Sequence, residues 1–296
     1  MICAGDYSKR QLIPNDRKAK AEYEKALNAF KALPNKYAAI TTHGNHDSEK
    51  PFNEVFGKSN KVKYVHDNRT ARTRPEQGEH ELEFTGFGGV ELPKNSQSPA
   101  LDGMLLGVSH YSYETIFDSV CRGLEEKSRE GKLYDTVLLT HQTPYGLLDC
   151  RKYDKFRKKL PEEKYFKGGS KAVRDALNTY SPFLVASGHT HEDPGLAVRE
   201  CPDAEPMQAR YDIKRKRIDI SAIDQKRLAD AGMRITDYTG DSITFGIESS
   251  ARGKPTFYLN PGSLGQDGMT CDVDLELQGR NQEFERVIRF KFASRI

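Results

Sequence analysis

The sequence predicts an α/β fold from three observations. Short apolar, β-branched runs recur along the chain, each ends abruptly in a polar, Gly-containing turn, and helical patterns lie between them. Such alternation belongs to sheets whose strands are joined through helices. The 296 residues allow one large domain or two ordinary ones. A chain of that length buries about 75% of the surface it exposes when unfolded, so it needs no disulfides to hold a core.

The elements follow in order. The first run, Ile2-Cys3-Ala4, ends at Gly5-Asp6. From about Arg17 to Leu33, Ala19, Tyr23, Ala26, Leu27, Phe30 and Leu33 fall on one face at helical spacing, and Pro34 stops that helix. Tyr37 to Thr42 reads as a strand with the tail His43-Gly44-Asn45-His46-Asp47. Residues 61–110 are strand-like and Gly-rich, with Leu82, Phe84, Phe87 and Val90 between turn residues, and read as β hairpins. Ile116, Val120 and Leu124 mark a helix running to Gly131, followed by the strand Thr136 to Thr140, which ends at His141. Ser170 is placed to cap a helix bearing Val173 and Leu177. After Pro182, Phe183 to Ala186 ends at Ser187-Gly188-His189-Thr190-His191, and Thr256 to Leu259 ends at Asn260-Pro261-Gly262-Ser263.

Residues 202–254 separate two of these units by more than an ordinary connection. They hold Ile213 to Ile220, apolar at both ends and basic in the middle, a helix-like stretch from Ala222 to Ala231, and a strand-like one from Ser242 to Ile247. The expectation is an inserted subdomain or cap within a single domain spanning 1–296.

Composition narrows the class. With 36% hydrophobic and 9% aromatic residues, the composition argues against disorder throughout. Lys and Arg number 46 against 43 Asp and Glu, a net charge of +3, too small to argue for a nucleic-acid protein from the total. No apolar run approaches the roughly 18 residues of a membrane helix. The start, Met-Ile-Cys-Ala-Gly-Asp, has neither a basic nor an apolar region of the secretory kind. Cys3, Cys121, Cys150, Cys201 and Cys271 stand singly, which suits a reducing compartment, and the expected location is cytoplasmic.

In open α/β sheets the functional crevice lies at the carboxyl ends of the strands. His46, His141, His189 and His191 fall in those strand-end turns with Asp6, Asn45 and Asp47. Imidazole, carboxylate and amide oxygen together suit borderline divalent metals such as Mn, Fe or Zn, and the lack of clustered thiolates argues against a structural zinc. Two histidines at i and i+2, His189 and His191, reach neighbouring positions from a turn, as a site for two metals requires. Taken singly, Gly, Asn, Asp and His in loops are ordinary turn chemistry; as an ordered set at strand ends they read as metal ligands. His43, His66, His80 and His110 match no motif and read as satisfied or solvent-facing.

Gly5-Asp6, Gly44-Asn45-His46-Asp47, His141 after Val-Leu-Leu-Thr, and Gly188-His189-Thr190-His191 resemble the successive motifs of the calcineurin-like metallophosphoesterases. Asn260-Pro261-Gly262-Ser263 resembles a further turn of that superfamily, and Gly169 to Arg174 is similar to its cyclic-nucleotide phosphodiesterase-like branch. The resemblance covers residues 2 to about 195 and 256 to 265. It implies a four-layer α/β sandwich of two mixed β-sheets flanked by helices. It also implies a hydrolase acting on a phosphodiester or phosphomonoester through metal-activated hydroxide. Residue by residue, it implies a second-metal site of Asp6 (bridging), Asn45, His141 and His189, with His191 turned toward the first metal. His46 would stabilise transition-state charge beside the phosphate, with Asp47 orienting its ring. Metal coordination moves the pKa of water from about 15.7 to about 7, which makes this chemistry workable at neutral pH.

This sequence departs from the family pattern at its start. The family begins with an Asp-x-His turn after its first strand, whereas Met1 stands four residues before Gly5. The expectation is a sandwich lacking its first strand and two ligands of the first metal. A shortened chain is preferred to a degenerate member, because the downstream ligands persist together. Lys9 also stands where many relatives carry an acidic residue. The alternative function is a non-catalytic binding or scaffold relative with an incomplete metal site.

Between Arg151 and Lys171, nine basic residues against three acidic ones interleave with Tyr153, Phe156, Tyr165 and Phe166. Nucleic acid would use such a patch, and a nuclease is the third reading. A solvated amphipathic surface is favoured, since Lys and Arg stems routinely cover apolar groups. Lys214 to Arg217 reads as blunting a sheet edge. The expected partner is a small phosphate ester, with no membrane, and the sequence leaves the oligomeric state open.

Overall fold

The structure, a computed structural model, describes residues 2–7, 16–32, 39–67, 69–73, 81–92, 109–152, 165–190, 193–251, 254–262, 269–277 and 283–294. The chain begins with β1 (Ile2–Cys3), α1 (Asp16–Lys31), β2 (Ala39–Thr41), α2 (Glu49–Phe56) and β3 (Val62–Tyr64). Next come β4 (Ala71–Thr73), β5 (Leu82–Phe87), β6 (Val90–Glu91), β7 (His110–Tyr111), α3 (Tyr113–Arg129) and β8 (Thr136–Gln142). After β9 (Cys150–Lys152) and β10 (Tyr165–Lys167) follow α4 (Lys171–Thr179), β11 (Leu184–Gly188), β12 (Gly195–Arg199), β13 (Met207–Asp212) and β14 (Arg217–Asp219). The remainder is α5 (Gln225–Asp230), β15 (Met233–Tyr238), β16 (Ser242–Ile247), β17 (Thr256–Asn260), β18 (Met269–Leu277) and β19 (Arg286–Ser294). Mixed sheets and helices make this the expected α/β class. The chain divides into two compact units, Met1–Pro144 with Ser170–His189, and Tyr145–Gly169 with Thr190–Ile296.

In the first unit β1, β2 and β3 pair in parallel, Ile2 opposite Ile40 and Ala39 opposite Val62. Helix α1 forms as its periodicity predicts and buries Ala19, Tyr23, Leu27 and Phe30. They meet Phe52, Val55 and Phe56 of α2 and Val62 and Tyr64 of β3, where each large apolar side chain contributes about 1.5–3 kcal/mol. The Tyr23 hydroxyl accepts the Ser48 N–H at 2.8 Å, which fixes where α2 starts, directly after the Gly44–Asp47 turn.

The same unit pairs β5, β8 and β11 in parallel, with β4 antiparallel on β5. Helix α3 buries Ile116, Val120 and Leu124, and α4 buries Ala172, Val173, Ala176 and Leu177. Ser170 caps α4 as predicted, its Oγ accepting the Val173 N–H at 3.1 Å. The Glu91 carboxylate accepts the Ser170 hydroxyl at 2.7 Å and the Ala172 N–H at 2.9 Å, a negative charge where the helix dipole favours one. The hairpin reading of 61–110 is corrected: among the described residues only strands β4 and β5 pair antiparallel there, whereas β3 joins β2, β5 joins β8 and β6 joins β7 in parallel. Residues 83–87 of β5 are buried on both faces, the pattern of an interior parallel strand.

In the second unit β12 lies between β13 and β17, with β14 on β13, all antiparallel. A second antiparallel sheet runs β15-β16-β19-β18. Residues 202–254 supply β13 and β14 to one sheet and β15 and β16 to the other. Phe245, Phe257 and Phe290 pack with ring centroids 5.3–6.4 Å apart. Lys214 to Lys216 sit in a hairpin turn rather than inside a strand, and only Arg217 opens β14. The Asp212 carboxylate accepts the N–H groups of Lys214 and Arg215, each at 3.0 Å, and Lys216 is left-handed with φ 50°, so side-chain turn chemistry prevails over strand propensity. Helix α5 starts at Gln225 rather than Ala222, because Asp224 caps it through the N–H groups of Lys226 and Arg227. Among the described residues no helix is long and apolar enough to cross a membrane.

Candidate metal centre

Four segments distant in sequence meet in the first unit at the ends of parallel strands. Asp6 follows β1, residues 42–47 follow β2, and His189 is the first residue after β11. His141, expected in a turn, lies inside β8, which continues through Gln142. Pairing of Gly188 with Gln142 sets His189 beside the end of β8. The Thr42 N–H donates to the Cys3 carbonyl at 3.2 Å, carrying the alignment of β1 and β2 into their turns.

Those two turns touch through their backbones. A Cβ on Gly5, whose φ is 95°, would lie 2.1 Å from the Gly44 nitrogen, and a Cβ on Gly44 would lie 2.1 Å from Asp6 Oδ1. Asp6 and His189 are both left-handed, φ 60° and 63°, a conformation that costs of order 1–3 kcal/mol and persists where the surroundings impose it. The buried Asp47 carboxylate accepts the N–H of Gly44 at 2.8 Å and of Tyr7 at 3.2 Å, joining the turns. Tyr7 anchors the first turn, its hydroxyl 2.6 Å from Thr41 Oγ1 and its ring against Phe30, Phe52 and Phe56.

Around one point the donor atoms converge. His141 Nε2 is 2.9 Å from Asn45 Oδ1, 3.1 Å from His189 Nδ1 and 3.5 Å from Asp6 Oδ2, and His189 Nδ1 is 3.1 Å from Asn45 Oδ1. The other His141 nitrogen, Nδ1, bonds the Ala4 carbonyl, which only accepts, so Nδ1 carries the proton and Nε2 presents its lone pair. With neutral imidazoles and a carboxylate, His189 Nδ1 is the one converging atom able to carry a proton, and one proton cannot serve three acceptors. A cation among them satisfies all four, and tetrahedral bonds of about 2.0–2.1 Å would set ligand atoms about 3.4 Å apart. The donor set therefore fits a divalent metal.

The remaining expected residues are placed as follows. His46 is half-buried, and its backbone N–H donates to Asp6 Oδ1 at 3.1 Å, leaving Oδ2 to face the imidazoles. His191, Lys9, Ser263 and most of Arg151–Lys171 lie outside the described residues. In the second unit the buried Asn260 amide donates to the carbonyls of Leu148, Thr190 and Asp193 at 3.2, 2.7 and 3.0 Å.

His43 and His66 are satisfied histidines, as read from the sequence, but they belong to a polar cluster beside the 43–47 turn that the sequence did not signal. His43, fully buried, is within hydrogen-bonding distance of the hydroxyls of Tyr64 (2.8 Å) and Tyr111 (3.0 Å). Burial holds His43 well below the ordinary imidazole range, with His66 adding to the effect. Ser109 donates its N–H to the Asn45 carbonyl at 3.1 Å and its hydroxyl to the Asp47 carbonyl. These partners stand 21 to 68 residues from the turn, and no local pattern signals them.

A carboxylate, an amide oxygen and two imidazoles gathered at strand ends define an α/β protein with a candidate metal centre. Residues 1–193 match the family model of the calcineurin-like phosphoesterases. The chain belongs to that family, and its mixed sheets and helices are consistent with the family's α/β sandwich. None of the curated proteins matches the chain.

Proposed function

We propose that the protein is a metal-dependent phosphoesterase hydrolysing a small phosphodiester or phosphomonoester, with Asp6, Asn45, His141 and His189 as metal ligands. The convergence of Asp6 Oδ2, Asn45 Oδ1, His141 Nε2 and His189 Nδ1 carries this reading. Oxygen and imidazole donors suit Mn, Fe or Zn, and the resemblance of the Gly188-His189-Thr190-His191 motif to the family pattern makes His191 the proposed ligand of a second ion. A divalent cation bound there supplies Lewis-acid polarisation of the phosphate and activation of water at neutral pH.

The chain's own residues prepare that site. The Ala4 carbonyl holds the His141 ring in the tautomer that offers Nε2 and raises its basicity. The His46 N–H orients the Asp6 carboxylate, and the role proposed for the His46 ring is to donate to a phosphate oxygen as charge develops. Asp47 is a positioning residue that ties the Gly5–Asp6 turn to the Gly44–Asp47 turn.

The test is metal analysis with Mn-supported hydrolysis of a generic phosphodiester by the wild type, Asn45→Ala and His189→Ala. Wild type should bind metal and hydrolyse, and each variant should lose more than the roughly 10–100-fold that removing an outer-shell partner costs. Equal hydrolysis by all three refutes the ligand assignment. A wild type that binds no metal and hydrolyses nothing supports the non-catalytic binding protein instead.

A further inference from the structure

His43, Glu49 and His66 form a second group of ligand-capable side chains, their atoms within 4.8 Å of one another. Hydrogen-bond direction decides its nature. The Gly88 N–H donates to His66 Nδ1 at 3.1 Å, so the His66 ring proton sits on Nε2, 3.5 Å from Glu49 Oε1. The Tyr111 hydroxyl donates to Glu49 Oε2 at 2.6 Å. With that proton committed, the Tyr111 oxygen accepts from His43 Nε2 at 3.0 Å, and His43 Nδ1 accepts the Tyr64 hydroxyl at 2.8 Å. Protons and lone pairs therefore alternate along the whole chain, which ends on Glu49 from both sides. This is the opposite of the Asp6 centre, where lone pairs face one another, and it leaves no set of lone pairs for a cation.

We infer that Glu49 is a positioning residue: acting through Tyr111, its charge fixes His43 as the Nε2–H tautomer and with it the turn that carries Asn45. Only an anion enforces that direction. A neutral amide at position 49 could donate to the Tyr111 oxygen and let the hydroxyl turn toward His43. His66 and Tyr111, facing the Glu49 carboxyl, hold its pKa at about 2 against partial burial, so the charge persists across the neutral range. His43 has little room to adjust, since a Cβ on Gly88 would lie 2.4 Å from its Nδ1, and its carbonyl accepts the Gly89 N–H at 3.0 Å. Ser109 and Tyr111, two residues apart, grip the turn at Asn45 and Asp47 and at its His43 end. The consequence for the metal rests on the function proposed above.

The test uses full-length protein labelled with 15N-histidine, comparing wild type with Glu49→Gln and Tyr111→Phe. Long-range nitrogen–proton spectra read the His43 tautomer, and titration reads Mn(II) affinity. Wild type should show a single Nε2–H form, and Glu49→Gln a mixture of tautomers with Mn(II) bound about tenfold more weakly, in the range that outer-shell partners command. Tyr111→Phe keeps the ring that packs on Phe87 at 4.9 Å and should fold like wild type while losing a similar factor. An unchanged His43 tautomer in Glu49→Gln, or wild-type Mn(II) affinity in both variants, overturns the inference. If the wild type itself binds no Mn(II), the metal reading fails, and the nitrogen spectra alone uphold or overturn the role of Glu49.

Discussion

Gly44→Ala probes the contact on which the centre is built. The added Cβ would fall 2.1 Å from Asp6 Oδ1, 2.3 Å from the Asp6 nitrogen and 2.8 Å from Asp6 Cγ. Ordinary contacts begin near about 3.5 Å, and all three obstacles belong to Asp6, whose carboxylate is already held by the His46 N–H while Asp47 holds the Gly44 N–H. The two turns must separate by about 1 Å, a displacement that costs on the order of 100-fold in rate when it misplaces reacting groups. That factor corresponds to about 2.7 kcal/mol of transition-state stabilisation, and the crowding should also lower folding stability by about 1–3 kcal/mol. The assay is kcat/KM for Mn-supported phosphodiester hydrolysis at saturating metal, with urea unfolding alongside. Gly131→Ala is the control, since its φ of 72° meets open space; it should cost about 1–2 kcal/mol of backbone strain and no activity. Wild-type kcat/KM in Gly44→Ala would refute the reasoning, because the clash leaves no arrangement in which Asp6 and Asn45 both stay where they are.

Other perturbations have definite outcomes. Asn260→Asp replaces a buried donor facing three carbonyls with a charge facing their oxygens, and urea denaturation should show a loss of about 3 kcal/mol or more. Glu49, lowered from 4.5 to about 2, stabilises the fold above its unfolded pKa and loses that contribution as pH falls through the folded value. The stability gap between wild type and Glu49→Gln should therefore close between about pH 4.5 and 2 and stay constant above pH 6; a constant gap throughout would contradict it. Lys127 and Glu83 are buried partners 3.5 Å apart. Lys127→Met should cost about 2 kcal/mol in a urea titration, less than the roughly 3–5 kcal/mol of stranding a buried charge, because Glu83 keeps Lys132 at 2.9 Å and Arg72 at 3.1 Å.

Much of the fold was legible where its signal is local. The Ala19-Tyr23-Leu27-Phe30 face of α1 and the Ser170 cap of α4 depend on residues within a few turns of one another, and both are present. Strand partners are a different matter. Turn residues in 61–110 look alike whether the next strand returns as a hairpin or crosses over, and only the two-sided burial of β5 separates the cases. The candidate ligands could be read because each stands beside a glycine or at a strand end, as with Gly5-Asp6 and Gly188-His189. Asp47 shows the limit, since its bond to the Tyr7 N–H spans 40 residues. The His43–Tyr111–Glu49 chain was invisible for the same reason: its partners come from a turn, a strand and a helix start, and nothing in the spacing ties them.

Anomalous diffraction from Mn(II)-soaked crystals of the full chain shows whether the four converging donor atoms share one ion. A manganese peak should appear bonded at about 2.0–2.3 Å to His141 Nε2, His189 Nδ1, Asn45 Oδ1 and Asp6 Oδ2. A peak seated instead among His43, Glu49 and His66, or no peak at the Asp6 centre at millimolar Mn(II), would contradict the ligand assignment.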